Sequence, residues 1–430
     1  MTNRKPADLS APDAAPSAAA QALPIPVAQA TPAAELRGAS RLLVAAVAGV
    51  ADIVEDLHRT IAGVAPMLGV QAPGRTRGIT GLVYRSVRGV AATVGSGLDA
   101  ALAGLAPVLG AGAATPRREA LRAALNGVLG DYLEATGNPL AIPMQLRVQG
   151  RPLACAATDA DLPAGGRLLI LVHGLCMNDR QWRRDGHDHG QALAATQGYT
   201  PLYLHYNSGR PIHQNGAEFA DRVERLLADW PTPVDEIVII GHSMGGLVAE
   251  SARRQAVQRG QQWPARLHAL IGLGTPHLGA PLERAGAGVD WLLGISPYTA
   301  PLARLGRIRS AGIRDLGHGR ILPAGRRELP GRAGKDGGDG VDSVRQPSRL
   351  LIAASKQAEP GTTGKRPSGD GLVPVASALA QGPRADAVLA KAQRRVVFGI
   401  DHFDLLASRE VHQHLCEWLD AVRRRPPKVP

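Results

Sequence analysis

The feature that most constrains this chain is a short apolar run that ends in a Gly-x-Ser-x-Gly pattern. The run extends from Glu236 to Ile240, and the pattern after it reads Gly241-His242-Ser243-Met244-Gly245. A β-branched run that passes at once into a helical pattern predicts a strand, a sharp turn and a helix. Glycines on both sides of Ser243 permit a turn so tight that the serine side chain points outward. The pattern therefore predicts a nucleophilic serine at the end of a buried strand.

Length and charge limit the classes of protein to consider. A chain of 430 residues favours one large α/β domain with an added segment, and an apolar fraction of 44% is enough for a core. The net charge of +12 raises nucleic acid as a partner, but basic and aromatic residues are not interleaved and no nucleic-acid motif is present. We predict no nucleic-acid partner and leave contact with an acidic membrane surface open.

Cysteine usage and hydropathy bear on the compartment. Cys155, Cys176 and Cys416 are widely spaced, which fits reduced thiols better than a disulfide framework or a zinc motif. The N-terminal residues lack the continuous apolar core of a signal peptide, and no stretch reaches the roughly 18 apolar residues of a spanning helix. We expect a cytoplasmic protein, with peripheral attachment to a membrane as the alternative.

Composition divides the chain into three parts. Residues 1–38 are rich in Ala and Pro, which predicts a disordered leader. Residues 39–140 carry apolar stripes at helical spacing, which predict a helical appendage that either covers the main domain or contacts a membrane. Within residues 141–425 apolar runs alternate with helical patterns, so we expect a mostly parallel sheet covered by helices, with a cap at about 280–316 and a mobile loop at about 317–348.

The strands of this sheet are predicted from short apolar runs. An opening hairpin is expected at 144–148 and 153–156. The parallel strands are then expected at 167–172, 201–206, 236–240, 268–273, 349–354 and 395–400.

A serine hydroxyl is a weak nucleophile at neutral pH, so Ser243 needs a base, and the base needs an acid that orients it. His402 directly follows the last predicted strand, where a loop over the carboxyl edge of the sheet would carry it to Ser243. Asp370 lies between two glycines in the loop after the preceding strand. The order Ser, Asp, His along the chain fits a catalytic triad. The competing acids are Asp401, Asp404 and Asp315.

Such a serine also needs donors for the developing oxyanion. We expect the backbone N–H of Met244 to be one donor, because it follows the serine at a helix N-terminus, and that of Leu175 to be the other. His173 lies in the same loop as Leu175 and is expected near the substrate, bracing that loop. Arg210 leaves a strand at the catalytic edge, so it either meets an anionic substrate group or braces its own loop.

Residues 185–189 read Asp-Gly-His-Asp-His and have metal-capable side chains. No further ligand cluster accompanies them in the sequence, which favours a polar loop over a metal site. We therefore predict no metal and no cofactor.

From about Leu168 to Leu419 the chain resembles the α/β-hydrolase superfamily, in the bacterial lipase and esterase branch that includes lipase-like and PGAP1-like proteins. The motifs that carry the resemblance are His173-Gly174, Gly241-His242-Ser243-Met244-Gly245-Gly246, Gly274-Thr275-Pro276-His277-Leu278-Gly279 and Asp370-Gly371-Leu372-Val373-Pro374. The resemblance implies the α/β-hydrolase fold and a cap after Gly279. In this chain the cap would contain Trp291, which we expect to contact substrate.

These observations predict a serine hydrolase that cleaves carboxylic esters of small-molecule or lipid-like substrates with medium or long acyl chains. Thioester hydrolysis and acyl transfer use the same side chains and stay open. A further alternative is a non-catalytic, membrane-associated protein that retains the hydrolase fold.

Overall fold

The computed structural model describes residues 31–63, 82–94, 96, 99, 115–153, 165–280, 310–323, 346–359, 368–383 and 385–424. Most of the predicted mobile loop and most of the predicted cap, including Trp291, lie outside these residues. So does most of the predicted leader.

The N-terminal part contains helices α1 (Pro32–Gly63), α2 (82–94) and α3 (Pro116–Ala135). Helix α1 begins within the range predicted as leader, which is a correction to the boundary at residue 38. The reason is local, because Pro32 occupies the first helical position, where the missing N–H has no intrahelical partner in any case. The hydroxyl of Thr31 then accepts a hydrogen bond from the Ala34 amide at 3.2 Å. Within the described residues, no helix is both long and apolar enough to cross a membrane.

An antiparallel hairpin opens the sheet, with strands β1 (Gln145–Val148) and β2 (Arg151–Pro152). The sequence predicts the second strand at 153–156. This is wrong, because the strand begins two residues earlier, at Arg151. Gln149 and Gly150 both have positive φ, at 49° and 77°. They therefore form a two-residue turn that pairs Val148 directly with Arg151.

The remaining strands lie within two residues of their predicted positions. They are β3 (Arg167–Val172), β4 (Thr200–His205), β5 (Glu236–His242), β6 (Leu267–Leu273), β7 (Ser348–Ser355) and β8 (Gln393–Phe398). The sheet order is β2-β1-β4-β3-β5-β6-β7-β8, and all pairings from β4 to β8 are parallel.

Helices connect the strands and cover the sheet. They are α4 (His189–Gln197), α5 (Ile212–Asp229), α6 (Met244–Gln258), α7 (Trp263–Arg266), α8 (Ala311–His318), α9 (Val375–Ala378) and α10 (Arg409–Arg423). Helix α8 crosses the predicted boundary between the cap, which ends at about 316, and the mobile loop, which starts at about 317.

Alternate residues of the central strands enter two different cores. Leu168 and Ile170 of β3 pack in a cluster that includes Phe219 of α5. Leu169 and Leu171 pack on the opposite face, in a cluster that includes Leu415 of α10. Both faces of the sheet are therefore buried. Successive side chains of a strand point to opposite faces, so a sheet covered on both sides needs apolar residues at every position of its central strands. The predicted fold class, a mostly parallel sheet covered by helices in the α/β-hydrolase arrangement, is confirmed.

Helix α3 packs closely on the loops that leave the carboxyl ends of β3 and β4. A Cβ atom on Gly127 would overlap Cys176 Sγ, and one on Gly130 would overlap the side chain of Asn207. The side-chain amide of Asn207 donates to the Gly130 carbonyl at 2.9 Å. Small residues on α3 thus permit close backbone contact with the edge of the sheet where the serine turn lies.

Candidate active site

The turn after β5 holds Ser243 in a conformation that few residues adopt. Its φ is 53° and its ψ is −123°, and its amide donates to the Leu273 carbonyl at 2.8 Å. The neighbouring glycines are required sterically. A Cβ on Gly241 would overlap the backbone of Gly246, and one on Gly245 would overlap the Val172 carbonyl oxygen. This strained turn between strand and helix is the geometry of a nucleophile elbow.

His402 and Asp370 form a buried hydrogen-bonded pair. The Nδ1–H of His402 donates to Asp370 Oδ2 at 2.7 Å, and the two side chains are 1% and 0% exposed. The other carboxylate oxygen of Asp370 accepts from the amides of Leu372, at 2.9 Å, and Val373, at 2.7 Å. With Nδ1 holding the proton, the lone pair of the neutral imidazole is on Nε2, where a general base needs it.

The environment of Asp370 keeps its carboxyl group ionised. Burial alone would raise its pKa, but the positive charge that His402 carries when protonated and the hydrogen bonds from His402, Val373 and Leu372 outweigh burial and lower the pKa below its usual value. An ionised carboxylate at this position stabilises the imidazolium that forms when His402 takes up a proton.

The competing acids have other partners. Asp401 accepts from the amides of Phe403, at 2.8 Å, and Asp404, at 3.0 Å, while Asp404 accepts from the Asp401 amide at 2.9 Å. These two carboxylates stabilise the turn around His402. Asp315 accepts from the Ile212 amide at 3.0 Å, at the start of α5.

The loop after β3 approaches the serine closely. A Cβ on Gly174 would lie 3.1 Å from Ser243 Cβ, so a larger residue here would press the serine turn and the loop apart by a few tenths of an ångström. Leu175 follows immediately, and its loop is fixed by a hydrogen bond from the Cys176 amide to Ser208 Oγ at 3.0 Å. Met244 begins α6, so its amide has no carbonyl partner within the helix. Both predicted oxyanion donors thus lie beside the serine turn.

A pocket brings the predicted residues together. It is lined by Ser243, His402 and Leu175, and by a set of mainly apolar side chains. That set includes Met177, Pro276, Ala280, Leu316, Leu372, Val373 and Phe403. Few polar groups therefore line the pocket, and the rest of the pocket wall is suited to an apolar ligand.

His242 is a residue of this site that the sequence analysis does not single out. Its ring is fully buried, and its Nε2–H donates to the backbone carbonyl of His402 at 3.0 Å. Burial lowers the pKa of His242 to about 3, so the ring is neutral. A neutral ring with its proton on Nε2 holds the loop that carries His402. The signal in the sequence is the position of His242 inside the serine motif.

The Gly-Thr-Pro-His motif also has a steric explanation. Gly274 has a φ of 60°, and a Cβ there would lie 3.0 Å from His402 Cε1 and 2.8 Å from Leu405 Cδ1. Thr275 is fully buried and packs against Gly246. A Cβ atom on Gly246 would overlap the Thr275 hydroxyl. The segment after β6 therefore packs between the serine turn and the His402 loop.

The three predicted substrate-contacting residues are not brought together. His173 is fully buried, stacks on Tyr206 with ring centroids 4.4 Å apart, and does not line the pocket. Burial lowers its pKa to about 3, and its Nδ1–H donates to the Gly174 carbonyl at 2.9 Å, a contact that braces the loop. Trp291 lies outside the described residues.

Arg210, for which contact with an anionic substrate group and bracing of its own loop were both open, does not line this pocket. It forms ion pairs with Glu134 of α3 and Glu218 of α5, each at 2.5 Å. Two carboxylates on different helices satisfy its charge, so these contacts favour the bracing role over contact with substrate.

Comparison with known proteins supports the resemblance that the motifs predict. Residues 163–300 match the model of the PGAP1-like alpha/beta domain family, a range that contains β3 to β6 and the serine turn. No curated protein sequence matches the chain.

Solved structures with detectable similarity include hydrolases from several bacteria and an archaeon. The RedJ thioesterase of prodiginine biosynthesis from Streptomyces coelicolor has 18% identity and a TM-score of 0.35, with 60% of this chain and 91% of that chain covered. The esterase Pf2001 from Pyrococcus furiosus has 14% identity and a TM-score of 0.38, covering 60% and 82%. A thermophilic esterase from Thermogutta terrifontis has 15% identity and a TM-score of 0.36, covering 65% and 93%.

Proposed function

We propose that this α/β-hydrolase-fold chain is a serine hydrolase that cleaves carboxylic esters, with Ser243 as nucleophile, His402 as general base and acid, and Asp370 as orienting acid. The observation that carries the proposal is the buried 2.7 Å hydrogen bond between His402 and Asp370, in a pocket that Ser243 also lines. A strained serine turn, an oriented imidazole and an ionised carboxylate are the parts that acyl transfer through serine requires.

The reaction follows from the positions of the protons. His402 Nε2 takes the proton of the Ser243 hydroxyl while the oxygen attacks the acyl carbonyl carbon. The resulting imidazolium passes the proton to the leaving alkoxide, and an acyl ester remains on Ser243. Water, deprotonated by the same nitrogen, then attacks this ester and releases the acid, which restores the serine hydroxyl.

The amides of Met244 and Leu175 are proposed to hold the negative oxygen of each tetrahedral intermediate. Backbone donors at a helix N-terminus are fixed before the reaction begins, so they stabilise developing charge without reorganisation. Removing one such donor typically costs about 3 kcal/mol of transition-state stabilisation.

The acyl group is proposed to be of medium or long chain length, because the pocket wall beside Ser243 is mainly apolar. Side chains such as Leu316, Leu372 and Phe403 offer no hydrogen bonds to a polar acyl group. An alkyl chain in contact with them leaves water, and each buried methylene contributes about 0.8 kcal/mol at most.

Product analysis tests the proposal. Purified protein is incubated with matched octanoyl oxygen esters and thioesters, with and without an alcohol acceptor, and Ser243→Ala serves as the control. We expect release of free octanoic acid from the oxygen ester by wild type and none above background by the variant. Faster turnover of the thioester would replace the proposed ester hydrolysis by thioester hydrolysis. Transfer of the octanoyl group to the alcohol would replace it by acyl transfer. Equal rates for wild type and Ser243→Ala would contradict the proposal altogether.

A further inference from the structure

Three histidine rings from distant parts of the sequence meet on the side of the sheet that α4 and α10 cover. His189 begins α4, His187 lies two residues before it, and His412 lies in the first turn of α10. One ring nitrogen of each lies within 4.8 Å of the others. The closest pair is His187 Nε2 and His189 Nδ1, at 2.9 Å. The sequence predicts a polar loop here because no third ligand lies near residues 185–189 in the sequence. In the folded chain, His412 is that third ligand.

The proton positions can be assigned from the hydrogen bonds. His189 Nε2–H donates to the Leu405 carbonyl at 2.9 Å, so His189 Nδ1 carries a lone pair. This is the arrangement of a metal-ligating histidine, whose second nitrogen donates to a backbone carbonyl and thereby fixes the ring. A shift of the His187 proton from Nε2 to Nδ1 frees a second lone pair without changing the charge of the ring.

His412 supplies the third ring. Its Nδ1 is buried and has no hydrogen-bond partner among the described residues, while its Nε2 contacts Cys416 Sγ at 3.4 Å. The ring stacks on His189 with centroids 5.7 Å apart and meets His187 edge-on at 5.1 Å. A buried nitrogen without a partner is costly, and a bound cation would satisfy it.

Burial of the three rings and the partners of the nearby Asp188 favour neutral histidines over a protonated histidine paired with that carboxylate. His189 is fully buried and His187 and His412 are half-buried, so a positive charge on any of these rings would be costly. The neighbouring carboxylate of Asp188 accepts from the amides of Gly190 and Gln191 and from the Tyr203 hydroxyl, so it already has partners. Neutral imidazole is the form that binds a metal ion.

We propose that His187, His189 and His412 bind one transition-metal ion of the Zn²⁺ class. Three imidazole nitrogens suit Zn²⁺, Co²⁺, Ni²⁺ or Cu²⁺ and exclude Mg²⁺ and Ca²⁺, which require oxygen ligands. At a Zn–N distance of about 2.0–2.1 Å, tetrahedral geometry separates the nitrogens by roughly 3.3 Å. The observed 2.9 Å between the first pair is near that value, and the upper limit of 4.8 Å requires only small side-chain movement.

The site has a structural role in this proposal. It shares no residue with the pocket at Ser243. The ion joins the segment before α4 to α10, and the hydrogen bond from His189 to Leu405 extends this link to the loop that follows His402. Metal binding to the folded state alone raises the stability of the chain.

Cobalt and zinc titrations of the untagged full-length chain test the site. After treatment with EDTA and removal of the chelator, we expect one equivalent of Co²⁺ to produce the visible absorption of tetrahedral coordination and one equivalent of Zn²⁺ to displace it. Wild type is also expected to melt at higher temperature with Zn²⁺ than with EDTA. Absence of stoichiometric binding by wild type would overturn the proposal whatever the variants do.

Substitutions of single histidines distinguish a specific metal site from the general affinity of exposed histidines for metal ions. His412→Ala and the partly exposed His187→Ala are expected to bind Co²⁺ at least 100-fold more weakly and to lose the zinc-dependent rise in melting temperature. His414→Ala, which removes a histidine two positions away that pairs with Glu410, is the matched control and should behave as wild type. Melting in EDTA shows that each variant folds. Unchanged binding by folded His412→Ala, or equal loss in His414→Ala, would contradict the assignment.

Discussion

At the scale of single residues, activity should depend to different degrees on the three proposed triad residues. Ser243→Ala or His402→Ala should reduce kcat by a factor on the order of 10⁵ to 10⁶, because nucleophile and base act as a unit. Asp370→Asn should cost about 10⁴, since the imidazole is still present but has lost its orienting charge. Initial rates with a p-nitrophenyl ester, measured on folded variants, provide the comparison.

Asp404→Asn is the matched control for the acid. Its carboxylate accepts a hydrogen bond from the Asp401 amide, lies 3.9 Å from the guanidinium of Arg184 and is 41% exposed, so we expect a decrease in kcat of less than tenfold. If Asp404→Asn were as damaging as Asp370→Asn while both remained folded, the assignment of the acid would be wrong.

At the scale of elements, the contact between α3 and the loop after β3 links the N-terminal helices to the site. In Gly127→Ala the new methyl group overlaps Cys176 Sγ and approaches Cys176 N at 2.9 Å, directly after the proposed oxyanion donor Leu175. We expect kcat to decrease by roughly 10- to 100-fold, since displacement of a catalytic donor by about 1 Å is costly. The free energy of unfolding should decrease by about 1–3 kcal/mol.

Gly89→Ala is the control for this effect, because it makes the same substitution in helix α2, where a Cβ meets nothing within 4 Å. It should leave kcat unchanged and increase helix stability by about 0.5–1 kcal/mol. Equal kcat values for Gly127→Ala and wild type would show that α3 does not position the loop.

A buried ion pair joins α6 to β7. Arg349 Nε contacts Glu250 Oε1 at 2.8 Å, and the two side chains are 4% and 9% exposed. Burial alone would raise the pKa of Glu250, but the charge of Arg349 and its hydrogen bond lower it. The stabilisation is therefore fully present above the unfolded pKa of about 4.3 and is lost as pH falls through the lower folded value.

We expect Glu250→Gln to lower the free energy of unfolding by about 3 kcal/mol at pH 7, because it leaves the Arg349 charge buried without a counterion. The difference from wild type should shrink as pH falls below about 4.3, because the unfolded chain then takes up a proton on Glu250 that the folded chain takes up only at lower pH. Urea unfolding at a series of pH values measures it, with the exposed Glu410→Gln as control. A difference that stays constant down to pH 3 would contradict the ion-pair account.

At the scale of the whole molecule, substrate size depends on the apolar pocket wall. Specificity constants for p-nitrophenyl esters should rise from acetyl to octanoyl, by up to roughly fourfold for each methylene that leaves water. Values that are highest for acetyl and fall with chain length would indicate a shallow pocket. That result would remove the medium- or long-chain proposal and leave ester hydrolysis itself intact.

Local patterns allowed most of the sheet to be predicted from the sequence. Strand β3 lies at the predicted residues, because a continuous apolar run reports burial on both faces without reference to the rest of the chain. The pairing of Asp370 with His402 follows from motif order, since loops after neighbouring parallel strands meet at one edge. Their roles in catalysis stay predictions.

Contacts between distant segments could not be predicted in this way. The meeting of His412 with His187 and His189 depends on where α10 packs, and nothing near His412 in the sequence records it. The contact of Gly127 with Cys176 likewise depends on the path of α3 across the sheet edge. The start of α1 at Pro32 differs from the prediction for another reason: an Ala- and Pro-rich composition predicts disorder, whereas a proline at the first helical position favours a first turn.

The most direct measurement of the central claim is covalent labelling of the folded chain with a fluorophosphonate, followed by mass mapping of the adduct. The account predicts one adduct per chain, on Ser243, with labelling abolished in Ser243→Ala and slowed by several orders of magnitude in His402→Ala. Labelling that is absent from folded wild type, or that maps to another residue, would contradict the assignment of Ser243 as an activated nucleophile.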